Sequence, residues 1–440
     1  MGIKVHEIAG QKLVEAHELT AQGVRSYDPE LRHTVTNISS ISVLDGPAEK
    51  IYYRGVSLED IYASKEYLEA VFLILTGRFP NKRELSRVKE QAAKRSDIDE
   101  RTRDGITSII RSFPKESDPI AIVSATMSYL SSVDPLPIRS RKEQVEASLK
   151  AIAYTPIVVG LALRHIKGEE LKFPTKKDLG EYNYSKAFLL TLNGGKQPSS
   201  EQVKMLDSIF TLHLDAGLNP STFAAQQNVS SDTNIWRGLI AASNSLSGSL
   251  HGGASTDVVK NFRTISEMPG KVDAKVKQFV SDKTAKGERI AGFGHVIFKS
   301  HDPRAKALER MADDMSPPPP YYDIAKALHK RISSPSARSS KVINPNVDFY
   351  SGILWKSLGV PEQGMTTAFF TARAPGVIAH IMEIQGERKL IVPTEAYVGE
   401  TGIHPDKLAT PDTQKPSREI LPINTKLIAI PKGRARDVEL

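Results

Sequence analysis

The chain of 440 residues contains no cysteine. That absence excludes a disulfide scaffold, a thiol nucleophile, a thiolate metal site and covalent haem attachment, and it suits a reducing compartment. Long apolar runs are missing too. The longest, Pro156 to Leu163, falls far short of the roughly 18 residues of a membrane-crossing helix. With 29 glycines and 27 prolines, both near ordinary usage, collagen-like and disordered classes are excluded as well. The 11 histidines show no tight metal-ligand spacing, so no metal site is expected.

Addressing signals are equally scarce. Met1 to His6 has no apolar segment of a secretory signal, and His6 breaks the myristoylation pattern. Glu7, Glu15 and Glu18 do not suit a mitochondrial presequence, and Val438-Glu439-Leu440 is not the simple peroxisomal address. The expected location is cytoplasmic. Lysines and arginines number 59 against 51 acids, a net charge of +8, but they do not gather into blocks of one sign. Lys82 to Asp104 mixes both signs at helical spacing, as a solvated helix face does. Neither a nucleic-acid nor a membrane partner is expected. The length has room for one large or two moderate domains.

The periodic pattern is mostly helical. Leu58, Ile61, Tyr62, Leu68, Val71, Phe72 and Leu75 recur at helical spacing, and Gly77 closes the run. Ser199-Ser200-Glu201-Gln202 offers a capping box for a helix whose face carries Val203, Leu206, Ile209 and Phe210. Asn219-Pro220 reads as an N-cap followed by proline at the first helical position. Further apolar periodic runs cover Ile235 to Leu250 and Thr366 to Ile384, the latter with Pro375 inside as a kink. Pro317 to Pro320 separates a charged helix at 303–314 from one at 322–331. Strand signals are few. Ile41 to Gly46 and Ile51 to Gly55 resemble a short antiparallel ribbon joined by a turn. The tail from residue 403 is proline-rich and reads as an irregular surface arm. No βαβ alternation appears, and Gly292-Phe293-Gly294 lacks the preceding strand and third glycine of a dinucleotide fingerprint.

Four segments carry chemistry. In Ser249-Leu250-His251-Gly252-Gly253-Ala254, a histidine sits at a helix C-terminus beside freed carbonyls and a flexible turn. In Gly292-Phe293-Gly294-His295, with Lys299 and Asp302-Pro303-Arg304, small residues permit close approach of the backbone to a ligand, and three basic groups fall within ten positions. Asn344 to Gly352 sets Asp348 among apolar neighbours, where desolvation raises a carboxyl pKa toward that of a useful base. Arg373 stands in the apolar 366–384 helix and wants a carboxylate partner. Each has a structural alternative: Asp348 could cap a turn, and Arg373 could pair with an internal acid such as Glu383. His213, His329 and His380 are read as structural.

In their order along the chain, His-Gly-Gly-Ala, Gly-Phe-Gly-His, Asp-Pro-Arg-Ala and Asn-Val-Asp-Phe-Tyr-Ser-Gly resemble the citrate synthase family, over roughly residues 40 to 400. Ile41 to Gly46 with Tyr53-Arg54-Gly55, and Asn219 to Ala225, are similar to further segments of it. The resemblance implies an almost all-α homodimer with a small β-ribbon near the N-terminus. It also implies a large domain (1–252 and 364–440) and a small domain (253–363) that close over the site. The implied reaction condenses an acyl-CoA with oxaloacetate or a similar 2-oxo dicarboxylic acid and releases free CoA, with no cofactor and no metal. Asp348 would be the base that takes the α-proton. His251 would donate to the enolate oxygen and His295 would protonate the oxo-acid carbonyl. Arg304, Arg373 and Asn219 would hold the oxo acid, and Lys299, Gly292 and Gly294 would contact CoA.

The chain also departs from the family. Ala216 stands where relatives carry a histidine that holds oxaloacetate, Gln226 where an arginine is usual, Val392 where an arginine reaches across the dimer, and Ser255 where asparagine is common. Each charged hydrogen bond lost from a carboxylate site is worth about 1.5–3 kcal/mol. Smaller, less polar residues make room for an apolar group, as in alkylcitrate synthases of secondary metabolism, which join longer acyl-CoAs to oxaloacetate. The alternatives are an ordinary citrate or 2-methylcitrate synthase and a non-catalytic CoA-binding relative. An idle site has no physical need to keep His251, His295, Asp348, Arg304 and Arg373 together, so an acyltransferase is the expectation.

Overall fold

The computed structural model describes residues 5–8, 11–14, 27–28, 30–136, 140–334, 343–394, 401, 402 and 404. The chain separates into the units Met1–Ile391 and Val392–Leu440, and every element below lies in the first. The expected surface arm from 403 onward falls almost entirely outside the described residues.

The architecture is helical with two small antiparallel sheets. Strands β1 (Val5–Ile8) and β2 (Gln11–Val14) pair as a hairpin that the sequence pattern does not announce. The ribbon expected near residue 45 is present. β3 (Ser42–Asp45) pairs with β4 (Lys50–Tyr53) in the register Ser42 to Tyr53, and β5 (Val56–Ser57) adds a short third strand. The single helix expected from Ser57 to Leu75 is two helices, α1 (Leu58–Ser64) and α2 (Tyr67–Thr76). Lys65 and Glu66 are extended, and Glu66 starts α2 with a reciprocal capping box to Glu69, so the chain restarts with the same apolar face inward. Gly77, in the left-handed region at φ 87°, ends α2 as expected.

Helices α3 (Lys82–Ser96), α4 (Glu100–Arg111) and α5 (Pro119–Val133) follow. The 26-residue α6 (Arg141–Ile166) contains the longest apolar run. By length and composition α6 passes the test for a membrane span, but 78% of its most apolar window is buried inside the fold. After α7 (Lys176–Leu179) and α8 (Tyr184–Leu192), α9 (Ser200–His213) opens with the expected Ser199–Gln202 capping box. Asn219 caps α10 (Pro220–Ser230), with Pro220 in its first turn. The next helices are α11 (Ile235–Ser247), α12 (Ala254–Glu267), α13 (Val272–Ala285), α14 (Pro303–Asp313), α15 (Tyr322–Ser333) and α16 (Val347–Ser357). Glu362–Gly364 is a short 3-10 turn.

The last described helix, α17 (Met365–Glu387), is buried on all sides from Met365 to Met382 and packs against α2, α6, α9, α10, α11 and α12. A helix apolar all round must be central. It runs through Pro375 without a break. The proline cannot donate to the Thr371 carbonyl four residues earlier. The buried hydroxyl of Tyr184 donates to that carbonyl instead at 2.8 Å, and Tyr67 donates to the Ala372 carbonyl at 2.6 Å. Burial holds both phenols protonated, well above the ordinary tyrosine pKa, so they remain donors.

Candidate active site

His251 lies in the turn between α11 and α12. The apolar pattern predicts α11 to Leu250, but the helix ends at Ser247, and His251 approaches the N-terminus of α12 rather than ending α11. The His251 and Gly253 N–H groups both donate to the Gly248 carbonyl, at 2.9 and 3.2 Å. A Cβ at Gly252 would fall 2.6 Å from the Leu246 side chain, and one at Gly253 would fall 3.0 Å from the Gly248 oxygen, so the turn closes only with two glycines. The His251 Nε2 sits 3.2 Å from the Ser221 hydroxyl, which donates to Asn219 Oδ1 at 2.6 Å. Burial and the Arg373 charge push His251 down to about 4, so the ring is neutral at physiological pH.

The segment 292–294 runs antiparallel to 344–346. The Asn346 N–H donates to the Gly292 carbonyl and the Gly294 N–H to the Asn344 carbonyl, both at 2.9 Å. Gly292 has φ 89°, and a Cβ there would meet Val258 and Phe349 within 2.9 Å, so close packing against the protein itself requires glycine. The next residue, His295, accepts at Nδ1 from the N–H groups of Ile297 and Phe298, both at 3.1 Å. A nitrogen accepting from two backbone donors cannot carry the ring proton. The neutral imidazole therefore bears its hydrogen on Nε2, the atom nearest Arg304. Burial, with the Arg304 and Lys299 charges, takes His295 down to about 4.

Asn346 caps α16 by accepting from the Asp348 N–H at 3.0 Å, which puts Asp348 in the first turn. Asp348 is partly exposed as a residue, but its carboxyl group is desolvated. Burial raises its pKa against the opposing pull of the Ser255 hydroxyl and the Arg304 and Arg373 charges. The Ser255 hydroxyl donates to Asp348 Oδ1.

Arg304 is almost fully buried and paired two-pronged with Asp302, Nε to Oδ1 at 2.9 Å and Nη2 to Oδ2 at 2.8 Å. Asp302 also caps α14 by accepting from the Arg304 N–H, and it accepts from the Val347 N–H at 3.1 Å. Arg373, on α17, is equally buried. Its Nε donates to the His213 carbonyl at 2.7 Å and its guanidinium lies 4.9 Å from the Phe369 ring centre. It does not pair with Glu383, which instead lies 4.0 Å from His380, and no carboxylate among the described residues forms an ion pair with it. Burial lowers its pKa, as expected of a desolvated cation.

These groups converge. Arg373 acts electrostatically on His251, Asp348 and Arg304, and Arg304 on His295 and Asp348. Beneath them the buried Tyr53 hydroxyl accepts from the Asp215 N–H at 3.2 Å. Asp215 is pushed up by burial, but His380 and Arg373 bring it below its ordinary value to about 2. The remaining candidates lie further out. Lys299 is exposed and donates to the Val296 carbonyl at 2.5 Å, and Gly294 is exposed at φ 79°. Asn219 spends its side chain on Ser221, Thr222 and Gly217 and reaches His251 only through Ser221. His213 is fully buried against Ile209, Trp355 and Phe369, and His329 bonds Glu309 and Tyr350, as structural histidines do. Ala216 is partly exposed, Val392 is exposed, and Gln226 is fully buried with neither amide atom hydrogen-bonded. The sequence reading gives no connecting role to Ser221, Ser255 or Asp302, although it singles out Ser255 as a departure and quotes Asp302 beside Arg304.

Residues 30–394 match a family model described as citrate synthase, C-terminal domain. The citrate synthase of Haloferax volcanii is 31% identical over 374 residues, spanning 82% of this chain and 93% of that relative. Citrate synthase 2 of Bacillus subtilis is 31% identical over 383 residues, spanning 86% of this chain and 96% of the relative. Among solved structures, a ternary complex of Thermoplasma acidophilum citrate synthase with carboxymethyl coenzyme A and oxaloacetate superposes with a TM-score of 0.76 at 28% identity. The match covers 85% of this chain and 96% of that one.

Proposed function

Since the chain belongs to the citrate synthase family and is an enzyme of it, we propose that it condenses an acyl-CoA with oxaloacetate through Asp348, His251 and His295. The observation that carries this reading is the desolvated Asp348 carboxyl set with two neutral histidines in the field of two buried arginines.

Asp348 takes a proton from the carbon next to the thioester carbonyl. The His251 ring donates a hydrogen bond from Nδ1 to the thioester oxygen as the enolate forms. The single hydrogen of the neutral ring is then on Nδ1, and Nε2 accepts from the Ser221 hydroxyl, which turns to it from Asn219 Oδ1. The enolate carbon then attacks the C2 carbonyl of the oxo acid. The developing alkoxide takes the hydrogen of His295 Nε2, the nitrogen that the backbone clamp on Nδ1 leaves protonated. The ring is restored by the proton that Asp348 removed from the acyl-CoA, so no imidazolate is left. Arg373 supplies unpaired guanidinium donors for a substrate carboxylate, and Arg304 offers Nη1, since Nε and Nη2 are held by Asp302. Water finally adds to the acyl-CoA product, breaking the C–S bond to give the free acid and CoA. No cofactor takes part, because CoA enters as the substrate's own handle. Lys299 and the exposed backbone at Gly294 serve that handle, while Gly292, expected from the sequence to contact CoA, is instead buried against Val258 and Phe349.

The domain division of the reading is 1–252 with 364–440 against 253–363. It is supported by the two glycine-bearing crossings at 252/253 and 364, which one side chain links: the Thr366 hydroxyl donates to the Gly252 carbonyl at 3.0 Å and meets Thr256 at 3.1 Å. Closure of the small domain would complete the set of groups around the substrates. A homodimer belongs to the same reading, with light scattering as its measurement.

The acyl group is proposed to be larger than acetyl, on the strength of Ala216 and Gln226, which stand where the resemblance puts a histidine and an arginine. The test is CoA release from acyl-CoAs running from acetyl to decanoyl, with and without oxaloacetate. Oxaloacetate-dependent release that peaks above acetyl supports the whole proposal. A peak at acetyl keeps the reaction but removes the larger acyl group. No release from any member refutes the reaction.

A further inference from the structure

Asp348 does not work with an unaided carboxylate. Ser255 is the second residue of α12, completely buried, and its hydroxyl donates to Asp348 Oδ1. α12 and α16 pack against each other, so the first turns of the two helices meet at this bond. Asn346 fixes the Asp348 backbone by accepting its N–H, but it does not touch the carboxylate. Among the described residues, Ser255 alone hydrogen-bonds that group.

A carboxylate with one desolvated rotor and two equivalent oxygens presents the wrong oxygen, or a proton, for part of the time. A single donor on Oδ1 removes both problems. It engages the lone pairs of one oxygen, leaving Oδ2 free, and it favours the ionised form against burial. The groups facing the carboxylate are Ser255 from α12, Asp302 and Arg304 at the start of α14, and Arg373 from α17. The two arginines act as charges that either oxygen feels, so only the serine distinguishes the oxygens.

We propose that Ser255 is a positioning residue for Asp348, its hydroxyl holding Oδ1 so that Oδ2 receives the substrate proton. This rests on the assignment of Asp348 as the base. Two measurements test it. The first follows the aspartate carboxyl carbons by carbon-13 NMR in the substrate-free protein, with the Asp348 signal identified by its loss in D348N. In S255A the Asp348 midpoint should move up by about one pH unit, the size expected for a lost hydrogen bond to a charged group. S255T, which keeps the hydroxyl, should return toward the native midpoint. S255C, a weak donor of nearly the same size, should fall between, and it decides the matter if S255A does not fold. The second measurement is the pH profile of CoA release. The acid limb of kcat/KM in S255A should shift upward in step with the carboxyl midpoint, and kcat should fall about tenfold with the oxaloacetate KM within twofold of native. A merely structural contact would lower Tm and move neither the midpoint nor the limb. An unmoved midpoint and limb in S255A, with active native protein, overturns the Ser255 role alone. A native protein that releases no CoA from any acyl-CoA overturns the base assignment, and the role with it.

Discussion

Asp348→Asn separates chemistry from architecture at this site. The amide is nearly isosteric: Oδ1 still accepts from Ser255, and the residue 348 N–H still bonds Asn346, so both contacts that place the side chain survive. What disappears is the capacity to take a proton. General-base catalysis contributes about 10²–10⁴ in rate, or about 2.7–5.4 kcal/mol of barrier at roughly 1.36 kcal/mol per tenfold. The rate of CoA release should fall by at least about two orders of magnitude. A thiol reagent reads this directly, because the chain has no cysteine to react. Stability should move the other way. Burial raises the native carboxyl pKa, so ionisation of Asp348 disfavours the folded state as pH climbs from the ordinary carboxylate range through the native pKa. D348N escapes that penalty. Its Tm at pH 7 should equal or exceed the native value, with the difference vanishing below about pH 4. A variant that keeps its rate within tenfold refutes the base assignment, and one that loses rate together with several degrees of Tm refutes the claim that the fold is indifferent to the change.

Arg373→Leu should raise the KM for oxaloacetate by about 10- to 150-fold, the worth of one charged hydrogen bond, and leave the KM for acyl-CoA within threefold in the same assay. Tyr184→Phe leaves the Thr371 carbonyl freed by Pro375 without its donor, so urea denaturation should show a loss of about 1–3 kcal/mol with turnover at 25 °C retained. Tm should fall as pH drops from about 6.5 toward 4. His213 at about 3 and His251 and His295 at about 4 stay neutral in the folded protein, while the unfolded chain takes up protons at its histidines below about 6.5. Calorimetry across that range should show this fall, and a flat Tm would contradict the neutral-histidine assignment.

The reach of the sequence follows from what is local. The Ser199–Gln202 capping box and the Asn219-Pro220 start are encoded within a few residues, and the structure has a helix beginning at each. Apolar period carries straight across Lys65 and Glu66, because α1 and α2 bury the same stripe, so the break between them is invisible until Glu66 is seen to cap. The same period overran α11 by three residues, since Leu250 continues the apolar pattern but is fully exposed. The connecting hydrogen bonds lay furthest from view. Ser255 meets its partner 93 residues away, Asp302 meets Val347 at 45, and Ser221 meets His251 at 30. No pattern of neighbours announces which hydroxyl or carboxylate will be the one to cross such a gap. Arg373 illustrates the converse: the sequence asks for a carboxylate partner without saying whether it is internal, and among the described residues no carboxylate forms an ion pair with it.

Asp302 joins two matters that a mutational survey would treat as separate. One carboxylate aims Arg304, starts α14 and ties down the first N–H of the helix that presents Asp348. Any replacement there disturbs the Arg304 guanidinium and the helix turn that carries Asp348 together, and a second substitution at Arg304 or Asp348 would add little further damage. A tolerance map scored by growth or turnover would therefore rank position 302 alongside the reacting groups, although its side chain meets only protein. Intolerance at this position would report on a shared anchor, and its signature is sub-additivity with both neighbours at once.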